Sequence, residues 1–249
     1  MNKRKAGQEV LTIEERIAAG ISGLVVCIVN RKGGVGKSFV ASNLAVSMAP
    51  AGPVALLDLD LTNRDSTAFA ERANITQILL ERSRQLEDGT WMAERDEVFE
   101  KVVEFQEKGF NVVIDAPPGI GGATDMACML ASMLIIPTRP GFNDIGGLKR
   151  IFELVEKVRN SHNPTLPVFT LCNFYRNTRE ANAMVEWLEE IKTATFLGKV
   201  WERTDYSEAI ARGQAVWDYA PGTSAAQEMK AICDYLLGQL VELAEVANG

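Results

Sequence analysis

Cysteine and histidine are scarce in this chain of 249 residues, which has four cysteines, at positions 27, 128, 172 and 233, and one histidine, His162. No two cysteines form a Cys-x-x-Cys pair, so the sequence offers no zinc ligand set and no seat for an iron–sulfur cluster. Each cysteine stands among apolar neighbours, where a thiol packs as a small hydrophobe, and the pattern suits a reducing cytoplasmic compartment. His162, in a Ser-His-Asn-Pro loop, has no neighbour that marks it as a ligand or base. Long apolar runs are missing as well: none reaches the roughly 18 to 20 residues that a bilayer-spanning helix needs. The basic start Met1-Asn2-Lys3-Arg4-Lys5 is not followed by an apolar core and a small-residue cleavage site, so it reads as a tail and not as a secretory signal. Lys and Arg number 26 against 33 Asp and Glu, a net charge of −7. That balance argues against an overall nucleic-acid-binding surface and leaves room only for a local basic patch.

Hydrophobic residues make up 47% of the chain and charged ones 24%, a mixture typical of globular proteins. The length suits one large α/β domain with a full core. Residues 1–22 read as a tail and a short helix, Leu11 to Ala19, with Thr12 and Glu15 spaced as a capping box. Residues 23–249 read as the single domain.

The chemistry centres on Arg31-Lys32-Gly33-Gly34-Val35-Gly36-Lys37-Ser38. Before it, Leu24 to Val29 is a continuous apolar run, the pattern of a strand buried on both faces. After it, Val40, Leu44, Ala45 and Met48 recur at helical spacing. A glycine-rich turn between strand and helix cradles phosphate: the N-terminal N–H groups and the helix dipole attract it, and missing Cβ atoms let it approach. Lys37 is placed to reach the β- and γ-phosphates, and the Ser38 hydroxyl to ligate the accompanying magnesium.

Where the general P-loop has its first glycine, this chain has Arg31, and a second lysine follows it. The run Lys-Gly-Gly-x-Gly-Lys-Ser resembles the deviant Walker A signature of the ParA/MinD family, ATPases that position plasmids, chromosomes, division sites and large protein cargoes. The resemblance implies that Lys32 crosses a dimer interface to the partner's phosphates, while Gly33, Gly34, Val35, Gly36, Lys37, Ser38 and Phe39 hold the subunit's own nucleotide.

A second apolar strand, Val54 to Leu57, ends in Asp58-Leu59-Asp60, with both carboxylates on one side of the strand end. The family has Asp-x-Asp-Pro-Gln here, and its second aspartate, near the attacking water, falls on Asp60. This chain departs at Leu61 and Thr62, and the two aspartates can also be read as caps of the following segment. Residues 67–108 read as mostly helical, broken at Gly89, without chemistry. A third strand, Asn111 to Ile114, closes at Asp115 as a Walker B motif, whose carboxylate holds magnesium through water. Its continuation, Ala-Pro-Pro-Gly with Gly121 and Gly122, resembles the family's second switch loop.

The fourth strand, Met133 to Ile136, leads through Pro-Thr-Arg-Pro to Asp144, read as a helix N-cap. The fifth, Val168 to Cys172, ends at Asn173, which in the family often reads adenine and is equally suited to a turn. Arg203 to Gly213 resembles a late family segment. The last helix, from Ala225 to about Ala247, carries Lys230 against Glu228, Asp234, Glu242 and Glu245, a charge that anionic lipid repels, so no stable membrane anchor is expected.

The expectation is an α/β, doubly wound, mainly parallel sheet of the P-loop NTPase type that binds ATP or ADP with Mg2+. Resemblance adds slow ATP hydrolysis using Lys32, Lys37 and Asp60, an ATP-dependent homodimer, nonspecific DNA binding on the nucleoid, and an activating ParB-like or cargo adaptor protein. Candidate DNA contacts are Lys149, Arg150, Arg176, Arg179, Arg203 and Arg212. Some twenty residues ahead of the first strand are too few for a helix-turn-helix reader. An adaptor ATPase that dimerises on ATP without touching DNA is the alternative.

Overall fold

A computed structural model describes residues 22–85, 91–119, 121–141 and 145–248. The expected helix at 11–19, the break at Gly89 and the cap at Asp144 lie outside them. The strands, in chain order, are β1 (Val25–Ile28), β2 (Val54–Asp58), β3 (Thr76–Ile78), β4 (Ser83–Gln85), β5 (Trp91–Ala93), β6 (Asn111–Asp115), β7 (Met133–Thr138), β8 (Val168–Tyr175) and β9 (Thr195–Trp201). Seven of them form one parallel sheet in the order β3-β2-β6-β1-β7-β8-β9. The short β4 and β5 pair antiparallel outside it.

The central strands are apolar almost throughout because helices cover both faces. Alternation divides their side chains between two cores. Val26 and Ile28 point to the face packed by α1 (Lys37–Met48), α7 (Thr204–Ala211) and α9 (Ser224–Asn248), through Val40, Leu44, Tyr206, Met229, Leu236 and Leu240. Val25, Cys27 and Val29 point to the other, where α3 (Arg95–Glu107), α4 (Gly122–Leu130), α5 (Ile145–Ser161) and α6 (Arg179–Glu190) bring Val98, Ala127, Ile151 and Met184. Among the described residues, α2 (Asp65–Ala73) and the single turn α8 (Val216–Tyr219) complete the α-helices. The four cysteines are free and buried in these cores. Also among the described residues, no helix is long and apolar enough to cross a membrane.

The expected helical stretch 67–108 needs correction. Among its described residues only the two ends are helical; between them Asn74 adopts a left-handed conformation (φ 55°) that stops α2, and Thr76–Ile78 adds to the edge of the sheet beside β2. Buried Glu97 then holds the chain, accepting the Glu81 and Arg82 backbone N–H groups at 2.7 and 2.8 Å. A carboxylate some fifteen residues downstream overrides local helix preference, which is why composition misleads. The fifth expected strand also runs on past Cys172 to Tyr175, through a register shift around Phe174, which has φ 53°.

Candidate functional site

Neighbouring strands β2, β6 and β1 bring the three sequence motifs together at their carboxyl ends, where doubly wound sheets bind ligands. In register, Asp58 stands beside Asp115 and Asp115 beside Ile28, just before the glycine turn. The turn itself is braced from both sides. Asn30, 3% exposed, accepts the Lys32 N–H at 3.0 Å and donates to the Pro137 carbonyl at 2.7 Å. Asn173, 1% exposed, donates to the Val35 carbonyl at 2.9 Å, and its own side-chain oxygen is buried with no hydrogen-bond partner among the described residues. The amide considered for adenine thus faces the loop backbone. Gly36 caps α1 at φ 89°, and a Cβ there would stand 2.6 Å from the Asn173 amide nitrogen. Any side chain at position 36 would meet both strain and overlap. The second switch segment is tied on as well, the Gly119 N–H donating to the Arg31 carbonyl at 2.9 Å.

Lys37 is buried and reaches back along the loop, its Nζ donating to the Lys32 carbonyl at 3.2 Å. Desolvation lowers its pKa, opposed by the Asp115 and Asp60 carboxylates. Lys32 is exposed on the loop, and Ser38 stands in the first turn of α1, near Asp115. Burial, then the charge of Asp58, push the Asp115 pKa up to about 7, and the Ser38 and Lys37 side chains offset part of this. Among the described residues, neither Asp115 carboxylate oxygen has a hydrogen-bond partner within ordinary distance, nor does the buried Ser66 hydroxyl. Orphaned carboxylate oxygens beside a serine hydroxyl form an all-oxygen donor set that suits a hydrated magnesium ion. Asp58 is otherwise engaged: Oδ1 accepts the Asp60 N–H at 2.9 Å, and Oδ2 accepts the Thr67 N–H at 3.0 Å and its hydroxyl at 3.2 Å. It therefore caps, as one of the sequence readings had it. Asp60 lies at the cavity wall, its carboxylate held by its own loop.

A cleft of about 840 Å³ joins these groups, with Gly33, Gly34, Gly36, Lys37, Ser38, Phe39 and Asp60 at one end. The other end is walled by Phe174, Arg176, Glu202, Arg203, Tyr206 and Ile210, most of which sequence reasoning missed. Arg139 stacks 5.2 Å from the Phe174 ring centroid, and Phe39 packs on Tyr206 with centroids 4.8 Å apart. Glu228 of α9 gathers this end, accepting the Trp201 N–H at 3.2 Å, the Arg203 guanidinium at 2.6 Å and the Tyr206 hydroxyl at 3.1 Å.

The expected DNA contacts therefore fall in different settings. Arg176 pairs with Glu202 and Arg203 with Glu228, both arginines lining the cleft. Arg212 lies 5.0 Å from the Tyr219 ring centroid. Lys149 and Arg150 on α5 and Arg179 at the start of α6 are exposed.

A parallel sheet, a glycine cradle with a buried lysine, and an unpartnered carboxylate at the neighbouring strand end define a P-loop nucleotide-binding protein. The match to known proteins is more specific: the CobQ/CobB/MinD/ParA nucleotide binding domain covers residues 26–216, and the chain belongs to that family. It is 31% identical over 140 residues to the cell division protein PomZ of Myxococcus xanthus, covering 55% of this chain but 44% of PomZ, less than half the length of that relative. It is 24% identical over 242 residues to the chromosome-partitioning ATPase Soj of Thermus thermophilus, covering 87% of this chain and 96% of Soj. In structure it is similar to a putative plasmid partition protein of Borrelia burgdorferi bound to AMPPNP, with a TM-score of 0.65 at 19% identity, covering 87% of this chain and 99% of that one. The fold also matches MinD of Aquifex aeolicus, with a TM-score of 0.66 at 20% identity over 86% and 97% of the two chains.

Proposed function

We propose that the protein is a ParA-like positioning ATPase, which closes into a dimer on ATP, hydrolyses it slowly and opens again. The observation that carries this reading is the cleft in which buried Lys37, Ser38 and Asp60 converge around the glycine turn, next to the unpartnered Asp115. Lys37 neutralises phosphate charge, Ser38 and Asp115 would hold a magnesium ion, Asp60 orients the attacking water, and Lys32, exposed on the turn, reaches the partner's phosphates. When bound, the magnesium ion supplies charge neutralisation at the β- and γ-phosphate oxygens. P-loop enzymes without a full set of trans charges turn over on the order of 10⁻⁴ to 10⁻² per second, a rate that suits a timer better than a motor. An activating partner, ParB-like or a cargo adaptor, then sets the timing. Relatives named for chromosome partitioning and for maintenance of carboxysome distribution support a cargo-moving role.

In the DNA-binding form of this reading the ATP dimer rides nonspecifically on the nucleoid through Lys149, Arg150 and Arg179, with binding that weakens steeply in salt. A second reading, an adaptor ATPase that dimerises without DNA, gains from the ion pairs that already occupy Arg176 and Arg203. Light-scattering mass with ADP, ATP or a nonhydrolysable analogue, each with and without nonspecific duplex, separates them. Doubling with ATP and retention of DNA is expected. Doubling without DNA retention selects the adaptor, and no nucleotide effect rejects both.

A further inference from the structure

The segment after Asp60 is where this chain leaves the Asp-Pro-Gln pattern, and its geometry is unusual in one respect. Asp60 Oδ1 accepts the backbone N–H groups of Thr62 at 3.3 Å and Asn63 at 3.1 Å, a side-chain turn of the kind aspartate makes with its own loop. The Arg64 N–H closes the loop onto the Asp60 carbonyl at 2.9 Å, and Arg64 takes a left-handed conformation at φ 53°. From outside, the Trp91 N–H of β5 reaches the Thr62 hydroxyl at 3.4 Å. These bonds fix the backbone of the loop and one carboxylate oxygen. The other oxygen, Oδ2, accepts the side-chain amide of Asn63 at 3.0 Å. Asn63 is exposed and lines the same cleft as Asp60 and Lys37.

We propose that Asn63 is a positioning residue for hydrolysis: its amide fixes the Asp60 carboxylate so that the remaining acceptor site on Oδ2 faces the cleft and holds the water there. Two backbone N–H groups already restrain the Asp60 carboxylate through Oδ1, and the Asn63 amide on Oδ2 adds a third donor that stiffens it and takes one of the acceptor positions of that oxygen. An ionised carboxylate only accepts, so the Asn63 amide must be the donor and the sense of the bond is fixed. No phosphate or base contact is assigned to Asn63, so its loss affects the chemical step and leaves nucleotide binding alone. This inference rests on the ATPase reading above.

The test is steady-state hydrolysis of MgATP by the full chain, with its Asn63→Ala, Asn63→Gln and Asn63→Asp variants, and Asn63→Ala repeated on an Asp60→Ala background. Asn63→Ala is expected to lower kcat about tenfold, the worth of a hydrogen bond to a charged group, with KM unchanged. Asn63→Gln, which keeps an amide donor, recovers most of the rate. Asn63→Asp, the same size but carrying like charge against Asp60, loses more than Asn63→Ala. On the Asp60→Ala background the Asn63→Ala change alters kcat by less than about twofold, because a residue that acts through another has nothing left to act on. An equal loss on both backgrounds, or a loss confined to KM, would overturn the positioning role, as would no loss at all. If the unsubstituted chain does not turn over ATP, or Asp60→Ala turns over as fast, the reading of Asp60 itself fails. Turnover that needs Asp60 and ignores Asn63 removes only the present inference.

Discussion

The two ends of the cleft are held together by different physics. At the phosphate end the supports are backbone groups and buried amides: Asn30 and Asn173, each at most 3% exposed, grip a loop whose glycines leave no side chain in the way. At the other end, where we propose that the base lies, the supports are charged side chains at partly open positions, Arg176 on Glu202 and Arg203 on Glu228. Buried neutral hydrogen bonds are costly to orphan, whereas open ion pairs contribute little and are screened by salt. The phosphate end is therefore rigid and unforgiving of substitution, and the base end adjustable.

The sharpest way to break the comparison is at its charge centre. Lys37→Ala should lower ATP affinity more than about a hundredfold, since it removes a desolvated cation whose partners remain in the cleft. Lys32→Ala should leave affinity nearly intact and abolish ATP-dependent doubling of mass. Equal loss of affinity in both variants would refute a trans role for Lys32. Next comes Asp115. Its carboxyl keeps a proton to about pH 7 in the folded chain against 3.8 for its ordinary value, so the folded state binds the extra proton between these limits. Its contribution to stability is present below about pH 4 and is lost as pH rises through about 7. Asp115→Asn should flatten that part of the stability profile measured by denaturant melts. In the unsubstituted chain, stabilisation by added Mg2+ and nucleotide should grow through about pH 7, where the carboxylate becomes available. A profile unchanged by Asp115→Asn would mean that other groups set it.

This difference between the ends also explains what could be read from the sequence. The phosphate end is contiguous: residues 32–39 and the apolar run before them announce a strand, a turn and a helix, and Asp115 closes a second run of the same kind. The buried strands were legible because a parallel sheet covered on both faces leaves few polar positions to confuse the pattern. The base end is assembled from 174–176, 202–210 and 228, three stretches that no local pattern connects. Phe174, a non-glycine residue at φ 53°, sits where the register of β8 shifts against β9, an irregularity that no local pattern announces. The misread helix at 67–108 failed for the same reason, β3 being set by pairing with β2 and the turn after it by the distant Glu97. Asn173 was legible as a polar strand end that could read adenine or make a turn, but not as a brace on the Val35 carbonyl. Asn30 was hidden by position and not by type: it stands just past a strand's apolar run, where an amide braces a neighbouring loop as readily as it binds a ligand.

Asn30 tests the rigid end without touching phosphate. Asn30→Ala orphans the Lys32 N–H and the Pro137 carbonyl, and should cost about 2 kcal/mol of stability in denaturant melts. Because the same bonds shape the loop, affinity for ATP and for inorganic tripolyphosphate should fall together. A stability loss with unchanged affinity for both would show that the glycine turn keeps its shape without Asn30.

Glu228 provides the smaller and more selective test of the adjustable end. Its carboxylate accepts from Trp201, Arg203 and Tyr206, and of these the Arg203 contact depends most on its charge. Glu228→Gln keeps an oxygen for the neutral donors and removes the ion pair. With Arg203 and Glu228 side chains 32% and 22% exposed, the stability change should be about 1 kcal/mol or less. The informative readout is the ratio of two affinities. Tripolyphosphate occupies only the phosphate end, so its binding should not respond to Glu228→Gln, whereas ATP binding should weaken a few-fold as the base wall loosens, and more so at low salt. If both ligands weaken alike, the two ends are mechanically coupled through α7 and α9, and the division between a rigid and an adjustable end gives way to one cooperative cleft.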